Sequence, residues 1–459
     1  MSVHGWIIRN IQWPIMEKRK GNKIRYFMKQ IHQNSSRPSQ ELENIRKDKL
    51  TKLLLHAARS VPAYQRYQDE VEREVSQPHW DPFHYLQKLP VLTKKDFNAS
   101  PEEFITRGID RSSLLPNRTG GSTGEPTRFY LDRHTVEHYE AARWVGLSWH
   151  GIRIGDPSVM IWGSPIELNQ QQSVQYARKE RLLKNRKMIP AYDLQEDKLA
   201  EYIRMLEAYK PVYLYGYASA IALFAQLIRK HRLQPQLKLK AVISTAESLL
   251  PEQRTVIEDV FGCPAVNEYG ARDGGMIAYQ CPNGHMHMFA DHCLVEVVDL
   301  RTKEPVPPGK DGLILVTDLN NYSMPRLRYQ LNDVVTVSPK ACSCGMTYPI
   351  LERIEGREDD VFVKPNGEYV HGHYFNHIAR NLEGIDRFQI VQHAPDVFTL
   401  QLVKQPSTYR PDVAARFIDG IKQSFGEDIH VSVAFTDEIP PAPSGKIRYA
   451  IREFPLPHV

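Results

Sequence analysis

Hydrophobic positions along this chain alternate between strand-like and helical spacing. Short apolar runs at 158–162, 212–215 and 240–245 each end in small or polar residues, and a helical pattern follows, most clearly over 220–228. Repeated strand-then-helix order is typical of an α/β core. The run 50–61 has helical spacing and stops before Pro62, which predicts a helix ending there.

The pattern becomes strand-rich after residue 291. Runs at 294–299 and 313–317 flank a Pro/Gly turn at 304–309, which predicts an antiparallel hairpin. Beyond Gly356, strand-like runs alternate with a helix near 410–425, enough for a small α+β domain. We therefore expect three parts: a basic extension (1–47), an α/β large domain with a β-rich section (48–356) and a C-terminal domain (357–459).

Composition narrows the class of protein. The chain has 459 residues, 41% hydrophobic and 25% charged, with a mean hydropathy of -0.46. These values are typical of globular proteins, and no segment approaches the roughly 20 apolar residues that span a bilayer. The opening residues MSVHGW lack the features of a secretory signal, which favours the cytoplasm. Five unevenly spaced cysteines argue against a disulfide framework.

The net charge of +5 is concentrated in residues 1–32, which carry seven Lys/Arg and one acid, Glu17. Because the rest is near neutral, we expect no nucleic-acid partner. The basic segment interleaves cations with Trp6, Trp13 and Phe27. Two alternatives follow: an amphipathic helix packed on the main domain or a partner, or peripheral contact with an anionic membrane surface.

The strongest chemical signal is a loop of glycine and hydroxyl residues, RTGGSTGEP at 118–126. Glycines let backbone N–H groups turn toward a polyanion, and hydroxyls add donors for phosphate oxygens. The hydroxyl donors are Thr119, Ser122 and Thr123, and the glycines are Gly120, Gly121 and Gly124. No Lys follows as in a P-loop, and such a loop alone is usually a surface turn.

Four further segments follow this loop in order: NEYGARD at 267–273, RYQLND at 328–333, GREDD at 356–360 and PSGK at 443–446. Together the five segments resemble the ordered motifs of the adenylate-forming superfamily. The segments ARSVPAY (58–64) and LPVLTKKDF (89–97) look like the N-terminal signature of its phenylacetate-CoA ligase family, particularly the capsule-biosynthesis branch. The resemblance covers about 48–450.

The resemblance implies a two-step reaction with ATP and Mg²⁺. A carboxylate attacks the α-phosphate to give an acyl-adenylate and pyrophosphate, and the acyl group then passes to a thiol such as coenzyme A. It also implies a mobile C-terminal domain that rotates at Asp359. Because a carboxylate is already a nucleophile, the site needs cations and N–H donors rather than a general base.

Individual roles also come from the resemblance. Lys446 would bridge the carboxylate and the α-phosphate, and Asp273, where the family usually has Glu, would hold Mg²⁺. Asp333 would accept the ribose hydroxyls, Tyr269 would stack on adenine, and Arg357 would reach a ribose or phosphate oxygen. The remaining residues expected around the nucleotide are Ala246, Glu247, Asn267 and Gly270.

A second set of residues has the composition of a metal site. Cys281 is followed by His287, and Cys342 and Cys344 lie about 60 residues on. Three thiolates and an imidazole make a closed tetrahedral zinc set. The family includes members with zinc at this pattern, so we expect a structural Zn²⁺. Reduced, unliganded cysteines are the alternative, and His285 is a competing ligand.

The acid and the acceptor stay open at this stage. Candidate walls of the acyl pocket are Trp144, Trp162, Tyr215 and Tyr217, although core packing explains aromatic residues equally well. The segment VHGHYF at 370–375 departs from the Gly-rich loop of typical ligases, with His371 and His373 as loop histidines. An amine, a hydroxyl or a carrier protein therefore competes with coenzyme A as acceptor. A third hypothesis is a non-catalytic nucleotide-binding scaffold. The resemblance also implies a possible homodimer, because members of the family often dimerise.

Overall fold

The protein was studied as a computed structural model. It describes residues 3–119, 127–162, 174–191, 194, 196–357, 361–371, 373–380, 382–440 and 449–454. Helices before the central sheet have these bounds: α1 Val3–Ile7, α2 Trp13–Lys20, α3 Ile24–Asn34, α4 Ser39–Ser60, α5 Gln68–Val75, α6 Pro82–Lys88, α7 Lys94–Ala99 and α8 Arg133–Trp149. A π-helical turn, Ile8–Gln12, joins α1 to α2.

The later helices are α9 Val174–Lys184, α10 Leu199–Tyr209, α11 Ala218–Lys230, α12 Pro251–Phe261, α13 His373–Arg380 and α14 Asp412–Phe425. The strands of the large domain are β1 Leu115–Arg118, β2 Arg128–Leu131, β3 Ser158–Trp162, β4 Arg186–Pro190, β5 Tyr213–Tyr217, β6 Ala241–Thr245, β7 Ala265–Ala271, β8 Gly275–Gln280, β9 Met286–Met288, β10 Cys293–Val298, β11 Asp311–Asp318, β12 Tyr329–Val337 and β13 Ile350–Arg357. The later strands are β14 Val361–Val363, β15 Tyr369–His371, β16 Ile385–Ala394, β17 Val397–Lys404, β18 His430–Phe435 and β19 Ala450–Arg452.

Within the described residues, eleven strands form one mixed sheet in the order β10-β11-β12-β13-β9-β8-β7-β6-β5-β3-β4. The β4, β3, β5, β6 and β7 strands run parallel, and every pairing from β7 to β10 is antiparallel. The β10–β11 pair is the antiparallel hairpin predicted from the Pro/Gly turn. β7 is therefore the strand at which the sheet changes from parallel to antiparallel.

Helices cover both parts of this sheet. Leu50, Leu53 and Leu54 of α4 pack with Ile314 and Val316 of β11 in one core, and helices α10, α11 and α12 pack on the parallel strands in another. The predicted helix over 50–61 is thus the second half of α4, which begins at Ser39 because the polar first half also fits helical geometry. The predicted boundary at residue 47 lies inside this helix.

The basic segment packs on the large domain. Phe27 and Ile31 of α3 are buried with Trp144 of α8, and Trp13 meets the Trp144 ring edge-on with centroids 6.2 Å apart. Asn34 donates to Asp291 Oδ2 at 2.7 Å. The packed-helix alternative therefore describes α3 and one face of α2, and Trp144 is a core residue rather than a wall of a substrate pocket.

A separate four-stranded sheet, ordered β18-β17-β16-β19, carries the C-terminal domain. Phe417 and Ile421 of α14 pack on Phe398 and Leu400 of β17. The fold class expected from the sequence, an α/β large domain with a β-rich section and a small α+β C-terminal domain, is confirmed.

Candidate active site and candidate metal centre

Tyr269 and Asp333, predicted to hold the two ends of a nucleoside, lie together. The Tyr269 hydroxyl donates to Asp333 Oδ2 at 2.7 Å. Tyr269 is on β7 and Asp333 is on β12, and three strands separate these two in the sheet. Four strand intervals of about 4.8 Å would place them roughly 19 Å apart in a flat sheet. The two side chains span part of this distance, and β-bulges, which bend strands, lie close to both residues.

Asp273, predicted to hold Mg²⁺, follows β7 and is 3% exposed. Its Oδ2 accepts a hydrogen bond from the Tyr329 hydroxyl at 2.9 Å and lies 3.3 Å from Lys94 Nζ. Burial raises the pKa of Tyr329, so its hydroxyl stays protonated and acts as the donor. The carboxylate is thus held in place by one neutral donor and one cation.

The N-terminal signature segment 89–97 explains how Lys94 reaches this carboxylate. Leu92 N–H donates to the Arg328 carbonyl at 3.1 Å, and Gln330 N–H donates to the Leu92 carbonyl at 3.0 Å. The signature therefore pairs with the start of β12 and delivers Lys94, at the start of α7, to Asp273. The role of Lys94 is not visible in the sequence, because only the fold brings it to Asp273.

Ala246 and Glu247 follow the carboxyl end of β6, and Asn267 of the adjacent parallel strand β7 lies beside this end, where α/β sheets bind ligands. Ala246 follows β6 with φ +65°, a left-handed conformation that non-glycine residues adopt at a cost and that is common at binding sites. Glu247 Oε2 accepts the Ser219 N–H at 2.9 Å, and Ser244 pairs with Asn267 across β6 and β7. The predicted adenine residues are therefore neighbours.

The predicted phosphate loop is described only at its base. Thr119 N–H donates to the Thr127 carbonyl at 3.0 Å, and Thr127 N–H donates to Thr119 Oγ1 at 2.9 Å. Arg357 ends β13 directly opposite Asp333 of β12, which brings its backbone to the site. Gly270 lies in β7 beside Tyr269. Predicted residues outside the described part of the chain are Gly120, Gly121, Ser122, Thr123, Gly124, Asp359 and Lys446, together with the side chains of Arg357, His371 and His373.

A buried carboxylate beside Tyr269 was missed by the sequence analysis. Glu268, 3% exposed, accepts from the Tyr215 hydroxyl at 2.7 Å and the Thr245 hydroxyl at 3.2 Å, and lies 3.5 Å from Arg143 Nε. Trp162 stacks on Tyr217 nearby in the sheet, with centroids 4.2 Å apart. The available signal was a glutamate inside a strand of mostly small and apolar residues, AVNEYGA.

The four predicted zinc ligands converge. One ligand atom from each of Cys281, His287, Cys342 and Cys344 lies within 4.8 Å of every other. The Sγ atoms of Cys281 and Cys342 are 3.9 Å apart, and Cys344 Sγ is 3.3 Å from His287 Nε2. Two buried and two half-buried ligands from distant segments thus surround one point, in the composition that tetrahedral zinc prefers.

The orientation of His287 also fits a metal. Its Nδ1 donates to the Tyr348 carbonyl at 2.9 Å, so the lone pair lies on Nε2, which faces Cys344. His285 Nδ1 lies 3.3 Å from Cys342 Sγ but is outside the converging set. Burial raises the pKa of Cys344 to about 11, and a metal would reverse that preference. Cys263 and Cys293 are buried elsewhere, as expected.

Known proteins resemble this chain in sequence and in fold. The family model of the CapK C-terminal domain matches residues 362–453. The chain is 25% identical to Protein CapK of Staphylococcus aureus over 80% of each chain. It is also 25% identical to the phenylacetate-coenzyme A ligase of Thermus thermophilus, over 71% of this chain and 72% of the relative.

Solved structures extend the likeness to the whole fold. A 2-hydroxyisobutyryl-CoA ligase, crystallised in the postadenylation state with an acyl-AMP, superposes with a TM-score of 0.69 at 20% identity. The match covers 92% of this chain and 91% of that one. This fold is that of adenylate-forming enzymes. The predicted resemblance to phenylacetate-CoA ligases and to Protein CapK is confirmed. Among the described residues, no helix is long and apolar enough to cross a membrane.

Proposed function

We propose that the protein activates a carboxylic acid with ATP and passes the acyl group to a thiol such as coenzyme A. One carboxylate oxygen attacks the α-phosphorus, a P–O bond forms, and pyrophosphate leaves with the bridging electron pair. The thiolate then attacks the acyl carbon, and AMP leaves. The relatives named as phenylacetate-coenzyme A ligases support the thiol acceptor.

The Tyr269–Asp333 hydrogen bond carries this proposal. It positions a carboxylate and an aromatic ring side by side, 2.7 Å apart at their polar atoms. A nucleoside offers matching chemistry, because ribose hydroxyls donate to a carboxylate and adenine stacks on a ring. Arg357, opposite Asp333 on β13, would add a cation toward a ribose or phosphate oxygen.

The phosphates would lie between the 118–126 loop and Asp273. Hydroxyl and backbone donors of the loop suit phosphate oxygens, and the oxygens of Asp273 are ligands that Mg²⁺ accepts. Bound Mg²⁺ would neutralise phosphate charge. Because Lys94 already contacts Asp273 Oδ2, the cation would share this carboxylate with Lys94 or displace it. Lys446 would bridge the carboxylate and the α-phosphate once the C-terminal domain, rotating at Asp359, delivers it.

The Cys281, His287, Cys342 and Cys344 cluster is proposed as a structural zinc site. Its donors fit zinc in number and type, and four protein ligands leave no open position for substrate. The ion would tie the turn after β8 to the loop before β13. It takes no part in the reaction.

A second acceptor class is favoured by one observation. The CapK C-terminal match covers the domain that would present the acceptor, and residues 370–375 differ from the usual ligase loop. An amine, a hydroxyl or a carrier-protein thiol would then replace free coenzyme A. Adenylation would be unchanged, because it precedes the acceptor.

The test is ATP–pyrophosphate exchange over a panel of carboxylic acids, which reports adenylation whatever the acceptor. Lys446→Ala should abolish acid-dependent exchange, whereas Lys238→Ala, an exposed lysine on the large domain, should leave it intact. Exchange followed by acyl-CoA formation supports the thiol. Exchange without it supports the second class. ATP binding with no exchange for any acid would favour the non-catalytic scaffold.

A further inference from the structure

The first helices leave a row of large apolar side chains on the surface. We call this row the N-terminal apolar face, and its members are Val3 (77% exposed), Trp6 (49%), Ile7 (39%), Ile11 (45%) and Ile15 (53%). They make up five of the eleven exposed large hydrophobic residues among those the structure describes. Monomeric proteins rarely expose apolar residues in a contiguous group without a binding role.

The spacing keeps this face on one side of the helix. Val3, Ile7, Ile11 and Ile15 are four residues apart, and in an α-helix such a row drifts by about 40° per step. The π-helical turn Ile8–Gln12 has more residues per turn, so each residue rotates by a smaller angle and part of this drift is cancelled. The insertion therefore aligns α1 and α2 so that their outward apolar residues form a single stripe.

The opposite side of the same helix is fixed to the large domain. Ile8 and Trp13 are buried, and Arg9 binds Asp156 at 2.8 Å. At Gly155, with φ +85°, a Cβ would lie only 2.5 Å from the Gly5 carbonyl oxygen, so the two backbones are in close contact. The helix thus cannot turn its apolar face inward without breaking buried contacts. The outward stripe is a consequence of the docking.

Exposed cations continue the stripe. Arg19 stands four residues after Ile15, between Lys18 and Lys20. No acidic side chain pairs with these three, nor with Lys23 or Lys29, within the part of the chain that the structure covers. Arg9 and Arg25, by contrast, are used internally by Asp156 and Glu17. The surface therefore joins an apolar row to uncompensated positive charge.

We propose that this face binds an anionic membrane surface, with the apolar row in the interfacial layer and the cations on lipid headgroups. Interfacial helices combine an apolar face, a Trp near the headgroups and adjacent Lys/Arg in this way. A protein partner is less well matched, because stable interfaces use about 20–30 residues a side and this row has five. The proposal is independent of the catalytic function.

Vesicle co-sedimentation of the full chain tests it, with phosphatidylcholine vesicles compared with vesicles that also contain phosphatidylserine. The wild type should sediment with the anionic vesicles and be released by salt. Ile7→Ser/Ile11→Ser should lower the partition coefficient at least about tenfold. Lys18→Gln/Arg19→Gln/Lys20→Gln should lower it for anionic vesicles only. Leu182→Ser, 60% exposed on α9, is the matched apolar control and should bind normally.

Thermal melting of each variant shows that it is folded. Absence of binding to anionic vesicles overturns the proposal, as does binding that Ile7→Ser/Ile11→Ser does not weaken. Gel filtration tests whether the N-terminal apolar face instead binds a second copy of the chain. A concentration-dependent dimer that Ile7→Ser/Ile11→Ser disperses would assign the face to a second copy and also overturn the membrane proposal.

Discussion

The proposed nucleotide site and the cysteine cluster differ in what holds their side chains. In the nucleotide site, the key carboxylates already have protein partners: Asp333 accepts from Tyr269, and Asp273 contacts Tyr329 and Lys94. In the cluster, the ligand atoms of Cys281, His287, Cys342 and Cys344 lie within 4.8 Å of one another. One region is organised by its own hydrogen bonds, and we propose that the other is organised by a zinc ion.

This difference predicts which mutations should lower the stability of the fold and which should lower the activity. A site whose residues satisfy one another should keep its shape when a ligand is absent, so its mutations should act on turnover. A cluster whose thiols and imidazole need a metal should transmit ion loss to folding, because metal binding and folding are coupled. The variants below separate these two behaviours.

The largest effect is expected in the cluster. Cys344→Ala should remove one equivalent of zinc and lower the free energy of unfolding, by about 4 kcal/mol if zinc is present at 1,000 times its dissociation constant. Metal analysis and urea unfolding measure both changes. Cys263→Ala, which alters a buried thiol outside the cluster, should keep the zinc and cost about 1 kcal/mol. Wild-type protein that binds no zinc after reconstitution would refute the site.

In the nucleotide site, Asp333→Ala should lower the activity and leave the stability nearly unchanged. Loss of a charged acceptor for two ribose hydroxyls should cost about 3 kcal/mol, which is about 100-fold in exchange activity. The melting temperature should stay within a few degrees, since Asp333 is only half-buried. Asp437→Asn, at an exposed loop, is the matched control. Equal losses of stability and activity would place Asp333 among structural residues.

The same contrast shows what the sequence could predict. Cys281, His287, Cys342 and Cys344 converge as expected from their residue types and from the resemblance to family members with this pattern. Strand-then-helix order likewise predicted the parallel strands around β5 and β6. These features depend on residue type and local period, which the sequence shows directly.

Contacts between distant segments were not predictable. Lys94 reaches Asp273 only because residues 89–97 pair with β12, and Glu268 gathers Tyr215, Thr245 and Arg143 from three separate elements. The sequence predicted an amphipathic N-terminal segment, but not which of its apolar residues dock on the large domain and which face outward. The local pattern of apolar and polar residues does not show which distant segments pack together.

The pH dependence of stability is a further test. Acid should destabilise the protein through His292 as well as through loss of zinc, so the contribution of His292 must be measured separately. His292 is 1% exposed, and burial lowers its pKa to about 3, against about 6.5 when unfolded. The unfolded chain therefore binds the proton first, and stability present above pH 6.5 is lost as pH falls toward 3. At pH 5 the loss should be about 2 kcal/mol. Urea unfolding of His292→Asn should lack this component, and an unchanged pH slope would assign it to other groups.

The smallest effect tests how Tyr269 contributes to its own region. Tyr269→Phe keeps the ring for stacking and removes the hydroxyl donated to Asp333, so the KM for ATP should rise about fivefold, equivalent to about 1 kcal/mol, with kcat nearly unchanged. Tyr269→Ala removes the ring as well and should raise KM further. Exchange kinetics at varied ATP measure both. If the exchange activity of Tyr269→Phe fell as far as that of Asp333→Ala, the Tyr269 hydroxyl would be essential for positioning the Asp333 carboxylate. A Phe variant with normal KM would instead show that the ring alone positions the nucleoside, and that the 2.7 Å bond is dispensable once ribose takes its place.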